Sequence, residues 1–134
     1  MQEKNRLLIV DDDASNLMEL VHILQPDYQL YTAKNGDAAI KRAKNTLPDI
    51  ILLDVVMPEM NGFEVFEELK KFDETKDIPV IFVSGASEDD DKSTGLSIGA
   101  VDYIRKPFDP TDVKQRVCRH IDAINSKRTA DTQL

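Results

Sequence analysis

The chain has 134 residues, of which 41% are hydrophobic, and 17 Lys and Arg against 25 Asp and Glu leave a net charge of −8. This length suits one domain with a single core, and the acidic balance argues against direct binding of nucleic acid. Because neither a membrane-spanning run nor a leader peptide is visible and the single Cys118 cannot form an internal disulfide, we expect a cytoplasmic protein with no membrane partner.

The predicted elements alternate along the chain between strands and helices. Apolar or alternating patterns predict strands over residues 6–10, 28–33, 49–54, 79–84 and 101–105. Apolar residues at helical spacing follow each strand, at positions 17–24, 39–43, 65–72, 96–98 and 113–124. Five strands that alternate with five helices predict an α/β fold, (βα)5. We expect a doubly wound, five-stranded parallel sheet with helices on both faces, because the crossovers are right-handed.

The third predicted strand is apolar at every position from Ile50 to Leu53 and then ends in Asp54. Such a run predicts a strand that is buried on both faces of a parallel sheet. Asp54 would then lie at the carboxyl end of the strand, which is the edge where open α/β sheets bind ligands. We therefore expect Asp54 to be the reactive group.

The fourth helix is predicted to be the least firmly held element. Residues 88–95 contain no apolar side chain, and Gly95 costs about 1 kcal/mol of helix propensity relative to alanine. Ser87 is a candidate N-cap, and the acidic residues after it suit the positive end of the helix dipole. Packing of this segment against the rest of the protein should therefore be weak.

The end of the chain is predicted to lie outside the folded domain. Residues 126–134 contain only two apolar side chains, too few to continue the buried stripe of the fifth helix. We therefore divide the chain into a domain over residues 1–125 and a polar tail, or the start of a linker, over residues 126–134.

Four of the predicted strands deliver reactive side chains to one edge of the sheet. Asp11 and Asp12 follow the first strand, Asp54 and Ser84 end the third and fourth strands, and Lys106 follows the fifth. Three carboxylates that lie close together need a cation or a raised pKa to offset their repulsion. With oxygen ligands alone, the expected cation is Mg²⁺. Together with a lysine and a hydroxyl, this set suits the receipt of a phosphoryl group as an acyl phosphate.

Each of these residues also has an ordinary explanation. The acidic run at residues 11–13 could form a solvated turn or cap a helix, Asp54 could cap the segment that follows it, and Ser84 could satisfy backbone groups. Their combination at four strand ends favours phosphoryl chemistry over these separate explanations.

The motifs at these positions resemble a known family. They are Val10-Asp11-Asp12, Leu53-Asp54-Val55-Val56-Met57-Pro58 with Gly62, Val83-Ser84-Gly85, and Tyr103-Ile104-Arg105-Lys106-Pro107-Phe108. Over roughly residues 6–124 the chain resembles the receiver domain of two-component response regulators, the group that includes single-domain chemotaxis regulators. The resemblance implies a flavodoxin-like strand order of 2-1-3-4-5.

The resemblance also implies a role for each site residue. Asp54 would be the phosphoacceptor, Asp12 a direct Mg²⁺ ligand, and Asp11 a ligand that acts largely through metal-bound water. The backbone carbonyl of Val56 would be a further metal ligand. Lys106 would pair with the phosphoryl group, and the peptide bond between Lys106 and Pro107 would be cis.

Two further residues would form a switch pair by the same resemblance. The hydroxyl of Ser84 would move toward the phosphoryl group, and the ring of Tyr103 would turn inward behind it. The phosphoryl group would come from a sensor histidine kinase or a histidine phosphotransfer protein. The fourth helix, fifth strand and fifth helix would report the change to a downstream effector protein or to a missing output domain, and dimerisation on phosphorylation is left open.

Two other functions compete with this interpretation. A phosphatase of the haloacid-dehalogenase type also forms an aspartyl phosphate, but it needs an acid two residues after the nucleophile, where this chain has Val56. A receiver-like module that binds a partner without taking phosphate is the other alternative. On the favoured interpretation the protein is not an enzyme, since it catalyses only its own phosphoryl transfer and autodephosphorylation.

Overall fold

The fold is organised around one parallel sheet, seen in a computed structural model that describes residues 4–85 and 95–132. The strands are β1 Arg6–Val10, β2 Gln29–Ala33, β3 Ile50–Asp54, β4 Val80–Gly85 and β5 Asp102–Lys106. Their order in the sheet is β2-β1-β3-β4-β5, with every neighbouring pair parallel. The predicted fold class and strand order are therefore confirmed, and all five carboxyl ends face the same edge.

The helices alternate with the strands along the chain, as predicted. They are α1 Ala14–Leu24, α2 Gly36–Thr46, α3 Gly62–Leu69 and α5 Pro110–Thr132, and a helical segment at residues 95–98 is labelled α4. The helix α1 begins before its apolar stripe because the side chain of Asp13 caps it, accepting from the backbone N–H groups of Ser15 and Asn16. The predicted N-cap at Ser87 and most of the predicted fourth helix lie outside the described residues.

Two apolar layers cover the two faces of the sheet. Along β1, Leu8 and Val10 point into the layer formed with α2 and α3, whereas Leu7 and Ile9 point into the layer formed with α1 and α5. In β3 the same alternation leaves every residue buried. Burial on both faces is the reason that this strand is apolar at each position before Asp54.

The last helix continues well beyond its apolar stripe, which ends at Ile124. We expected a polar tail from residue 126, but α5 extends to Thr132, and the Arg128 guanidinium lies 2.7 Å from a carboxylate oxygen of Asp49. A helix can continue through polar residues because its hydrogen bonds are internal to the backbone. The division of the chain into a domain and a tail at residue 125 stays a prediction. Over the described ranges, none of the helices combines the length and apolar character that a bilayer crossing requires.

Candidate functional site

Three carboxylates meet at the carboxyl edge of the sheet, as the sequence predicted. Asp54 is the last residue of β3, and Asp11 and Asp12 directly follow β1, the neighbouring strand. Asp54 is 2% exposed and Asp11 is 1% exposed, whereas Asp12 is open to solvent. One carboxylate oxygen from each lies within 4.8 Å of the others. The third acidic residue of the run, Asp13, takes no part in this cluster and caps α1 instead.

Lys106 joins the cluster from the far side of β4. Its Nζ donates a hydrogen bond to Asp54 Oδ1 at 3.0 Å and lies 3.3 Å from Asp11 Oδ2. The second contact is an ion pair that lacks hydrogen-bond geometry. The buried atom Asp11 Oδ2 therefore has no hydrogen-bond partner among the described residues. The Lys106–Pro107 peptide bond is cis, as predicted.

The charges of the cluster do not balance. The pKa of Asp54 is raised to about 7, chiefly by burial and then by the negative charge of Asp11, with a smaller contribution from Asp12, while the hydrogen bond and charge of Lys106 oppose the rise. Burial lowers the pKa of Lys106, but its interactions with Asp54 and Asp11 outweigh this effect and raise it overall. Among the residues that the structure describes, one lysine thus faces three carboxylates, and these residues leave the site with a negative balance of charge.

The three aspartates fit a hard divalent cation. They offer oxygen atoms only, which is the donor set that Mg²⁺ prefers. The buried Asp11 Oδ2 lacks a hydrogen bond, so a cation there would satisfy an atom that is otherwise costly to bury. The fourth predicted ligand, the carbonyl of Val56, lies two residues beyond Asp54 on a residue that is 58% exposed. Its role as a ligand stays a prediction.

The loop between β3 and α3 (residues 55–61, the β3–α3 loop) is held closely against the site. The Val55 N–H donates to Val83 on β4 at 3.0 Å, and the Gly62 N–H donates back to the Val55 carbonyl at 2.8 Å. A Cβ atom on Gly62 would lie only 2.3 Å from the carbonyl oxygen of Asp54. Glycine is therefore required at residue 62 for the first turn of α3 to approach the Asp54 backbone.

The predicted switch residues occupy β4 and β5. Ser84 is 1% exposed, and it directly follows Val83, the residue that pairs with Asp54 across the sheet. Tyr103 is 5% exposed and belongs to the apolar layer that contains Phe82, with which it pairs in register. Its ring therefore already occupies an inward position. The roles of both residues in a switch stay predictions.

A charged cluster around Asp102 was not foreseen from the sequence. Its carboxylate lies 2.7 Å from Arg116, 2.9 Å from Arg119 and 2.9 Å from His120, all on α5. Burial raises the pKa of Asp102, but its hydrogen bonds and the charge of Arg116 lower it overall. The three basic residues share one face of α5 in the sequence, but their partner begins β5, and only the folded chain shows that contact.

A broad groove of about 860 Å³ lies elsewhere, beside α5. Tyr28, Cys118 and Asp122 are among its lining residues, and none of the predicted site residues is. Burial and the neighbouring groups Cys118, Asp27 and Asp122 raise the pKa of Tyr28 to about 12.

Comparison with known proteins identifies the family to which this chain is similar. The family model described as "Response regulator receiver domain" matches residues 7–118. The chain is 40% identical over 105 residues to "Protein PilH" of Pseudomonas aeruginosa, covering 78% of this chain and 87% of PilH. The crystal structure of the chemotaxis protein CheY4 of Vibrio cholerae superposes with a TM-score of 0.80 at 30% identity, covering 87% of this chain and 98% of CheY4.

Several relatives are much longer than this chain. It is 39% identical over 128 residues to a "Probable cyclic di-GMP phosphodiesterase" of Vibrio cholerae, which covers 96% of this chain but only 28% of that relative. It likewise spans about half the length of the transcriptional regulators that it matches. The shared region in these relatives is therefore one part of a larger protein.

Proposed function

The chain belongs to the response regulator receiver domain family, and on that premise we propose that Asp54 accepts a phosphoryl group from a phosphohistidine. Receiver domains are generally non-catalytic signalling switches that bind Mg²⁺ at an acidic pocket and act between histidine kinases and effector domains. The donor here would be a sensor histidine kinase or a histidine phosphotransfer protein. An effector protein or an output domain would read the change, with or without dimerisation.

One observation carries the proposal. The Asp54 carboxylate is buried at the end of β3, hydrogen-bonded to Lys106 at 3.0 Å, and lies within 4.8 Å of carboxylate oxygens of Asp11 and Asp12. A carboxylate held beside a fixed cation in a partly dry site is suited to attack phosphorus, because Lys106 favours the charged form of Asp54. An aspartate with only a structural role would not need the carboxylates of Asp11 and Asp12 beside it.

The phosphoryl transfer is a balanced substitution at phosphorus. A carboxylate oxygen of Asp54 forms an O–P bond while the P–N bond of the phosphohistidine breaks, and the electron pair of that bond stays on the imidazole nitrogen. Lys106 then lies beside both the new acyl phosphate and Asp11. Mg²⁺ held by Asp11, Asp12 and Asp54, with the Val56 carbonyl as a further ligand, would supply the positive charge that the transferring oxygens need.

The response is proposed to pass from β3 through β4 to β5. The Ser84 hydroxyl would bond to the phosphoryl oxygens, and the inward ring of Tyr103 would pack behind the rearranged backbone. Ser84 lies in β4 and Tyr103 in the neighbouring strand β5, so the new charge would bias the surface formed by α4, β5 and α5. The buried positions of Ser84 and Tyr103 support this route.

The test is covalent labelling with a small phosphodonor. The protein is incubated with acetyl phosphate and Mg²⁺, and its intact mass is measured beside that of Asp54→Asn. We expect a gain of one phosphoryl group that requires Mg²⁺, is released by hydroxylamine and is absent in the variant. Asp13→Asn is the matched control, because Asp13 is a neighbouring aspartate that caps α1 and should leave labelling intact.

Two results would contradict the proposal. If neither acetyl phosphate nor phosphorylated histidine kinases label the protein, a binding module that works without phosphate becomes the better description. If Asp54→Asn is labelled as fully as the wild type, the acceptor is a different residue.

A further inference from the structure

Gly36 occupies a crowded position at the start of α2. The residue is buried, and a Cβ atom built on it would lie 2.6 Å from Sδ of Met60 and 3.0 Å from both Cβ and Cγ of that side chain. A contact of 2.6 Å essentially never occurs between real atoms, and contacts of 3.0 Å are unusually tight, so Met60 would have to move if residue 36 carried a side chain.

The helix itself gives no reason for glycine at this position. The preceding residue, Asn35, already caps α2 by accepting from the Ala38 N–H at 2.8 Å. Alanine is a much better helix former than glycine, and Gly36 does not adopt the left-handed conformation that favours glycine elsewhere. The glycine is therefore explained by the contact with Met60 and not by the backbone of α2.

Met60 belongs to the loop that carries the site. It packs against the apolar layer under α2 and α3, and its N–H donates to the Pro58 carbonyl at 2.8 Å. The residue before it, Glu59, has a positive φ of 69°, which is unfavourable for a side chain of this kind. A loop that holds Glu59 in this conformation needs fixed contacts on either side, and Met60 provides one of them.

We propose that Gly36 is a positioning residue for the metal site, because the space beside it seats Met60 and thereby sets the path of the β3–α3 loop and the direction of the Val56 carbonyl. Gly36 would act through Met60, the residue that supplies the three atoms nearest to its missing Cβ. The inference rests on the proposed function, since it takes the carboxylate cluster and Val56 as the Mg²⁺ site.

The test compares Mg²⁺ binding in Gly36→Ala and in the wild type by titration of amide chemical shifts with Mg²⁺ alone. We expect the dissociation constant for Mg²⁺ to rise at least threefold in Gly36→Ala, although the substitution improves helix propensity. The amide spectrum reports in the same samples whether the fold is retained. Ala43→Val is the matched control, because it overpacks the same helix two turns further on, at a buried residue.

A second variant, Met60→Ala, shortens the side chain that the new Cβ on residue 36 would meet. Met60→Ala alone should also weaken Mg²⁺ binding, because the loop loses its anchor, and it introduces no steric overlap. Adding Gly36→Ala to Met60→Ala should then weaken binding less than Gly36→Ala does in the wild type, because Sδ at 2.6 Å and Cγ are gone and only the contact with Cβ at 3.0 Å remains. If Gly36→Ala weakens Mg²⁺ binding as much in the Met60→Ala background as in the wild type, the proposed action of Gly36 through Met60 is overturned.

The possible failures are distinguishable. If the wild type shows no shifts with Mg²⁺, the proposed metal site is wrong and this inference falls with it. If the wild type binds Mg²⁺ and Gly36→Ala binds it equally well, or no worse than Ala43→Val does, only the positioning role is overturned.

Discussion

The ammonium group of Lys106 lies 3.0 Å from a carboxylate oxygen of Asp54, although 52 residues separate the two in the sequence. Lys106 is one-quarter exposed and Asp54 is buried, so the pair is sheltered on one side and open to a small donor on the other. This arrangement places a positive charge where an incoming phosphoryl group would meet the carboxylate.

Replacing Lys106 should therefore slow phosphorylation of Asp54. We expect Lys106→Met to lower the rate of acetyl phosphate labelling on the order of a hundredfold at saturating Mg²⁺, which is the usual effect of removing one preorganised charge. Intact mass against time gives the rate. Lys114→Met, at an exposed lysine on α5, is the control and should label at the wild-type rate. Equal rates in Lys106→Met and Lys114→Met would remove Lys106 from the mechanism.

Asp54→Asn should stabilise the metal-free protein at alkaline pH. Because the pKa of Asp54 in the fold is about 7, above its ordinary value of 3.8, the folded protein holds a proton that the unfolded chain releases. The unfolding free energy of the wild type should thus fall as pH rises between these values and then level off. Asp54→Asn lacks this loss, which by the usual conversion amounts to at most about 4 kcal/mol.

Urea unfolding in the presence of a chelator measures this difference. The stability curves of wild type and Asp54→Asn against pH should lie closest at acidic pH and separate above neutrality. Addition of Mg²⁺ should raise the stability of the wild type more than that of the variant, because ligand binding to the folded state stabilises it. Parallel curves would show that the folded protein does not raise the pKa of Asp54.

Removing the Asp102 charge should destabilise the contact between β5 and α5. Asp102→Asn leaves Arg116, Arg119 and His120 without their shared carboxylate, and we expect a loss of about 1 to 3 kcal/mol near neutral pH. The pKa of Asp102 is lowered in the fold, so its contribution is present above the ordinary carboxyl value and is lost as pH falls through the folded value. Wild type and variant should therefore converge at strongly acidic pH.

Asp112→Asn is the control for the Asp102 prediction. Asp112 bonds the same Arg116 at 3.0 Å, but its side chain is 44% exposed. An exposed pair within one helix contributes about 0.3 to 0.5 kcal/mol, so this variant should lose little stability. Equal losses of stability in the two variants would show that the Asp102 carboxylate contributes no more to stability than the more exposed Asp112 does.

Gly62→Ala should destabilise the protein although alanine favours helices. The new Cβ would lie 2.3 Å from the Asp54 carbonyl oxygen and 3.0 Å from Cα of Val55, and both belong to the backbone. Because backbone atoms cannot move aside cheaply, we expect a net loss of about 1 to 3 kcal/mol in thermal or urea unfolding. A gain of about 1 kcal/mol, the value of helix propensity alone, would contradict the contact.

The parallel sheet and the site at its strand ends could be predicted because parallel sheets impose simple rules, whereas the order of the strands came from the resemblance to a known family. The uniformly apolar run before Asp54 predicts a strand with both faces covered, which β3 is. Once the strands are parallel, residues that follow them must share one edge, and so Asp11, Asp12 and Lys106 come together with Asp54. Local patterns suffice for these relationships.

The contacts that depend on exact packing distances could not be predicted in this way. Three such features arise between elements that the sequence separates: the ion pair of Asp11 with Lys106, the three basic partners of Asp102, and the Met60 side chain beside Gly36. The continuation of α5 past its apolar stripe is a further case, since polar residues there carry no periodic signal. The sequence by itself thus determined the architecture and the identity of the reactive edge, because hydrophobic periodicity and strand direction are local properties. Only the tertiary structure decided which side chains touch and which buried atoms lack partners, because side-chain contacts depend on ångström-scale packing between distant segments.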